Sequence, residues 1–114
     1  MSDSLDKAEL VERIENDLEF LADALEVYNE DCPQLISQMR DALSHQHSAA
    51  LGAAAHTLKG LLSNFAAHPA VEAALKLEAM ASHHELSGAE QALAVLENES
   101  NRVKVALEEM LRQG

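Results

Sequence analysis

The sequence predicts an all-α fold: an antiparallel four-helix bundle with a short additional N-terminal helix. Three observations carry this. Hydrophobic residues make up 47% of the 114, but alanine and leucine supply the excess and aromatics only 3%, so strand-favouring residues are scarce. Apolar residues recur at helical rather than alternating spacing. Capping residues, proline and glycine punctuate the chain so that long segments are joined by short connections, which close most simply as an antiparallel bundle. The length suits one core and not two, so residues 1–114 are read as a single domain.

The elements follow in order. Asp3 or Ser4 can cap a short first helix through Ile14, and Asn16 or Asp17 a second that begins Leu18-Glu19-Phe20-Leu21. In that second segment Leu18, Leu21, Leu25, Tyr28, Leu35, Ile36, Met39 and Leu43 recur near helical spacing. Pro33 interrupts them, either bending one long helix or starting a new one capped by Asp31 or Cys32. A bend is favoured, because the apolar register resumes after it. Ser44 to Ser48 is a polar break, after which Ala49 to Phe65 forms a third helix. Pro69 suits the first turn of a fourth, running to about His83. Ser87 and Gly88 mark the next turn, with Ser87 and Glu90 in capping-box spacing, and the last helix runs from about Ala89 to Leu111.

Charge excludes several function classes. Twenty acidic residues against 8 basic give a formal charge of −12, and nothing gathers the bases into a patch. Nucleic acid and anionic membrane surfaces are therefore not expected partners. No apolar run approaches the roughly 18 to 20 residues of a membrane span, and the start of the chain is polar and acidic rather than a signal peptide. A cytoplasmic, free-standing monomer is expected. Cys32 is the only cysteine, which excludes an internal disulfide and a thiolate-rich metal site, and it reads as a small packing residue.

The third helix carries the chemistry. At about 100° per residue, Leu51, Ala55, Leu58, Leu62 and Phe65 share one stripe, and His56 points roughly 140° from its centre, toward solvent. Around it lie Ala49, Gly52, Ala53, Lys59, Gly60, Ser63 and Ala67, nearly all small. A solvated helix face normally carries Glu, Lys, Gln or Arg, so a bare one is shaped for close approach by something large. From Ala42 to Val71 the only formally charged residue is Lys59, three residues after His56 and on its face. Gly60 costs about 1 kcal/mol relative to alanine in a helix interior, which asks for a reason. A nucleophilic imidazole beside one ammonium, with no bulk on the following turn, is apt for holding a phosphoryl group while a partner docks.

Ala55-His56-Thr57-Leu58-Lys59-Gly60, followed by Asn64, closely resembles the histidine-containing phosphotransfer (HPt) domain of two-component phosphorelays. The leucine-rich helix before it, Lys76-Leu77-Glu78 and the turn Gly88-Ala89-Glu90 extend the likeness over most of the chain. The resemblance implies a four-helix bundle and a phosphocarrier rather than an enzyme. His56 would accept phosphate reversibly from an aspartyl phosphate of a response-regulator receiver, with Lys59 stabilising the phosphoryl group. Receiver domains, a hybrid sensor histidine kinase, or both would be the partners. The receiver would supply the acidic residues and the Mg²⁺, leaving this chain without a cofactor or metal. Gly52, Ala53, Gly60, Ser63, Asn64 and Ala67 would form the docking face. The chain departs from the family's pattern at Leu61 and Leu62, where small residues are usual, and at Ala66, where glycine is common. Glu78 takes the place of a polar residue on the adjacent helix that would hold one ring nitrogen of His56 and leave the other free to attack.

Competing readings are fewer. A helical module that docks on a receiver or kinase without carrying phosphate shares the fold and the face, and differs only at His56. His45, His47, His68, His83 and His84 invite a metal reading, but they show no ligand spacing and lie at expected helix ends, where the helix C-terminus or solvent accounts for them. No nucleophile elbow or glycine-rich phosphate loop points to a hydrolase or a nucleotide enzyme.

Overall fold

The computed structural model describes residues 3–113, which form five helices and no strand. These are α1 (Lys7–Arg13), α2 (Leu18–Ser44), α3 (Ser48–Ser63), α4 (His68–Ser82) and α5 (Ala89–Gln113). The last four pack as a closed ring in which α2 touches α3 and α5, and α4 touches the same two helices. The connections are too short for anything but reversals, so the ring is an antiparallel bundle.

Each long helix buries one stripe. In α2 it is Leu21, Leu25, Tyr28, Cys32, Ile36 and Met39; in α5, Leu93, Leu96, Val103 and Leu107. In α3 the residues Leu51, Ala55, Leu58 and Leu62 are fully buried, which fixes the rotation of that helix and therefore the direction of His56. Helix α4 contributes Ala70, Ala74, Leu77 and Ala81, three of them alanines, so it can lie close against its neighbours.

Local chemistry sets the ends. Asp17 caps α2, its Oδ1 accepting from Phe20 N at 3.0 Å. Pro33 sits on the exposed side of α2, which runs from Leu18 to Ser44 without a break, so no new helix starts at Asp31 or Cys32. The carbonyl that loses its partner to the proline belongs to exposed Asn29, where water can satisfy it. The cap of α1 is neither Asp3 nor Ser4 but Asp6, whose Oδ1 accepts from Glu9 N at 3.0 Å. Ser4 is drawn inward instead, its hydroxyl donating to Arg102 O. The spacing of Ser87 and Glu90 does not form a capping box either. Helix α5 starts one residue too late for it, directly after Gly88, whose φ of 82° requires the freedom of glycine. The α3–α4 turn passes through Ala66 at φ 54°, so the position where the resemblance leads one to expect glycine does take a left-handed conformation.

Helix α1 is fastened across that turn. Asp6 N donates to Ala66 O at 2.9 Å, Arg13 donates to Ser63 O, and His68 Nε2 lies 3.0 Å from Glu9 Oε1. Deeper in the bundle, Tyr28 packs edge-on against Phe65, with ring centroids 5.5 Å apart, and donates its hydroxyl to Ser100 O at 2.8 Å. Burial holds that phenol well above its ordinary range, so it remains a donor. The same cause pushes the Cys32 thiol up, as suits an inert packing residue. Tyr28→Phe keeps the ring contact and loses the α2–α5 hydrogen bond. It should cost about 1 kcal/mol in denaturant unfolding without altering the helical spectrum.

Candidate functional site

His56 lies mid-way along α3 with its side chain 67% exposed. Two elements build the site around it. Lys59 comes from the next turn of α3, and Glu78 reaches over from α4. The carboxylate of Glu78 accepts from both: Oε2 lies 2.8 Å from His56 Nδ1, and Oε1 lies 2.7 Å from Lys59 Nζ. The Lys59 hydrogen bond, ahead of an opposing desolvation and a further His56 hydrogen bond, holds the Glu78 carboxyl below the usual carboxylate range. It is therefore ionised and an acceptor only, which puts a proton on Nδ1; in the neutral ring the lone pair is then on Nε2.

The rest of the face divides. Gly60 is exposed, and a methyl group built on it would meet nothing within 4 Å, so the space beside His56 is open. Ala49, Ala53, Ser63 and Asn64 are also exposed. The hydroxyls nearby turn back onto their own helix, Thr57 to Ala53 O at 3.0 Å and Ser63 to Lys59 O at 2.8 Å, which keeps the face free of projecting polar groups.

Two residues expected on this face lie elsewhere. Ala67 is fully buried, because α3 ends at Ser63 and the left-handed Ala66 redirects the chain, so helical angles cannot be extrapolated past that point. Gly52 faces α4, where an added Cβ would come within 3.3 Å of the Ala81 Cβ; it serves helix packing.

The comparisons now bear on this geometry. The chain matches the family described as Hpt domain over residues 23–113. It belongs to the Hpt domain family. No curated protein matches it. Among solved structures it is similar to histidine-containing phosphotransfer protein B from Pseudomonas aeruginosa, at 23% identity with a TM-score of 0.90, covering 100% of this chain and 99% of that one. At that identity the likeness establishes the fold, a four-helix bundle with a short leading helix. The family establishes a phosphotransfer module of two-component phosphorelays. No helix among the described residues is long and apolar enough to cross a membrane.

Sequence reasoning on this Hpt domain missed two features. The first is that Lys59 is ion-paired to Glu78, with only 25% of its side chain exposed, a contact across 19 residues that no local spacing reveals. The second is an apolar groove of about 540 Å³ flanking α3, floored by Leu61 and Phe65 and walled by Phe20 and Val27, with Phe20 58% exposed. A signal existed: Phe20 and Val27 lie off the buried stripe of α2.

The remaining histidines are spread over the molecule. His45 and His83 each place Nδ1 on a last-turn carbonyl, Asp41 O at 2.9 Å and Ala79 O at 2.8 Å. His68, however, meets Asp6 and Glu9, with ligand atoms within 4.8 Å of one another. Sequence spacing could not show this grouping, in which Glu9 already pairs with Arg13.

The two glycines should separate on mutation. Gly60→Ala should gain about 1 kcal/mol from helix propensity, whereas Gly52→Ala, crowded by Ala81, should fall short of it by at least about 1 kcal/mol in the same unfolding assay. Acid should also weaken the site. Because folding lowers the Glu78 value, its contribution is full above the unfolded carboxylate range and is lost as pH falls through the folded one. Glu78→Gln should therefore flatten the loss of stability as pH falls below the ordinary carboxylate value of 4.5, measured by chemical denaturation.

Proposed function

We propose that this chain is a phosphorelay carrier in which His56 Nε2 accepts a phosphoryl group from an aspartyl phosphate of a receiver domain and returns it, reversibly, to another. The observation that carries the reading is the state of one ring. Nδ1–H is held by an ionised Glu78 at 2.8 Å, and the imidazole is mostly exposed beside an open Gly60. A fixed tautomer presents Nε2 as the nucleophile, and the open turn leaves space for in-line approach of a large donor.

In this reading the chain contributes a nucleophile, its orientation and a counter-ion, and the receiver contributes the metal and the acidic residues. The reaction breaks the donor's O–P bond and forms N–P at Nε2. Lys59 is the cation within reach of the phosphoryl oxygens. The face that admits the receiver is formed by Ala53, Gly60, Ser63 and Asn64.

A phosphorylated receiver with Mg²⁺ should label the chain with an acid-labile, base-stable phosphoryl group, and His56→Gln should abolish the label. Gly60→Glu should preserve or raise the melting temperature while sharply reducing both receiver binding and transfer, since it fills open space with an anion. A label that persists in His56→Gln would move the site to another histidine. Docking without any label on the wild-type chain would favour a binding module instead.

A further inference from the structure

Two side chains of the site share one carboxylate. Glu78 Oε1 binds Lys59 Nζ at 2.7 Å, and Oε2 binds His56 Nδ1 at 2.8 Å. Three-quarters of the Lys59 side chain is covered, and its ammonium is held by Glu78 of α4. In the resting state Lys59 and Glu78 cancel, and the neutral form of the ring is the one that can attack.

Phosphorylation changes that balance. When the N–P bond forms at Nε2 and Nδ1 keeps its proton, the ring becomes cationic and a phosphoryl dianion stands beside it. Four charged groups now occupy the space of two. The arrangement that pairs each with its nearest opposite joins Lys59 to the phosphoryl oxygens and Glu78 to the imidazolium. We propose that Glu78 is an exchangeable counter-ion, releasing Lys59 to the phosphoryl group when His56 is phosphorylated while keeping its hold on the ring, which is then cationic. The proposal rests on the phosphocarrier reading above and adds a role for Glu78 that the resting contacts alone do not define.

The exchange has a chemical consequence. In onward transfer the N–P bond breaks and its electron pair returns to Nε2, which leaves readily only if Nδ1 is protonated at that moment. By holding the cationic ring, Glu78 acts as a positioning residue that keeps the phosphoryl group labile toward an acceptor carboxylate. A glutamine can still accept from Nδ1 but carries no charge, and an alanine does neither.

The test uses the intact chain phosphorylated with phosphoramidate, which transfers its phosphoryl group to histidine with release of ammonia and so needs no receiver. Nitrogen-15 NMR of the imidazole and the Lys59 ammonium is followed in the wild type, Glu78→Gln and Glu78→Ala. In the wild type, phosphorylation should move the Lys59 ammonium resonance while the Nδ1 proton is retained in a stronger hydrogen bond. Before phosphorylation, the Lys59 resonance of both variants should already lie at its unpaired position. Transfer to a receiver should fall in the order wild type, Gln, Ala, with about a tenfold loss across the series, as expected for one charge-assisted hydrogen bond. A chain phosphorylated on His56 whose Lys59 resonance does not move, with equal transfer rates in the three proteins, would overturn the exchange and leave the carrier reading intact. Absence of any phosphoryl group on His56 would overturn both.

Discussion

The close approach of α3 and α4 is the constraint on which the site depends. Gly52 on one helix faces Ala81 on the other, and α4 presents alanines at three of its four buried positions. Small residues let the backbones come near enough for a glutamate on α4 to reach over the boundary and bind two side chains of α3 at once. With larger residues in that seam, Glu78 would stand off from His56, and the ring would lose the partner that sets its tautomer. The buried leucines of α3 supply the complementary condition, because they fix its rotation and so point His56 outward and Lys59 along the seam.

Much of this was legible in the sequence, for a physical reason. Helical periodicity, Pro69 at a first turn and Gly88 before a last helix are local signals, and they placed all five helices within a few residues. The stripe of Leu51, Ala55, Leu58 and Leu62 sufficed to turn His56 to solvent. What local signals could not give was anything decided across the fold. The cap of α1 shifted to Asp6 because Ser4 found a partner on α5, and Ala67 left the outer face because the chain turned at Ala66. Gly52 and Gly60 look alike in sequence, yet one faces a methyl group and the other open space. The resemblance pointed to Glu78, but its simultaneous hold on Lys59 is a tertiary fact.

The electrostatics of the face also follow from the fold rather than from the net charge. A formal charge of −12 would discourage an acidic partner if charge acted at long range. In solution at physiological ionic strength, however, exposed charges are largely screened beyond about 8 Å, so what a docking partner meets is the local surface. Around His56 that surface holds one cation and one anion bound to each other, and the exposed residues along α3 are small and uncharged. With that pair cancelling, Lys59 and Glu78 together neither attract nor repel an acidic partner strongly. In the proposed carrier a phosphoryl dianion on His56 would add charge here, and Lys59, the cation beside it, is already committed to Glu78. A rigid ion pair would leave the new charge unpaired beside a hydrophobic bundle, whereas one that can open lets the site adopt either charge state with each group matched. The mostly covered position of Lys59 between the helices, with its ammonium at the surface end of a long, flexible side chain, suits this, since such a side chain can change partners without disturbing the packing beneath it.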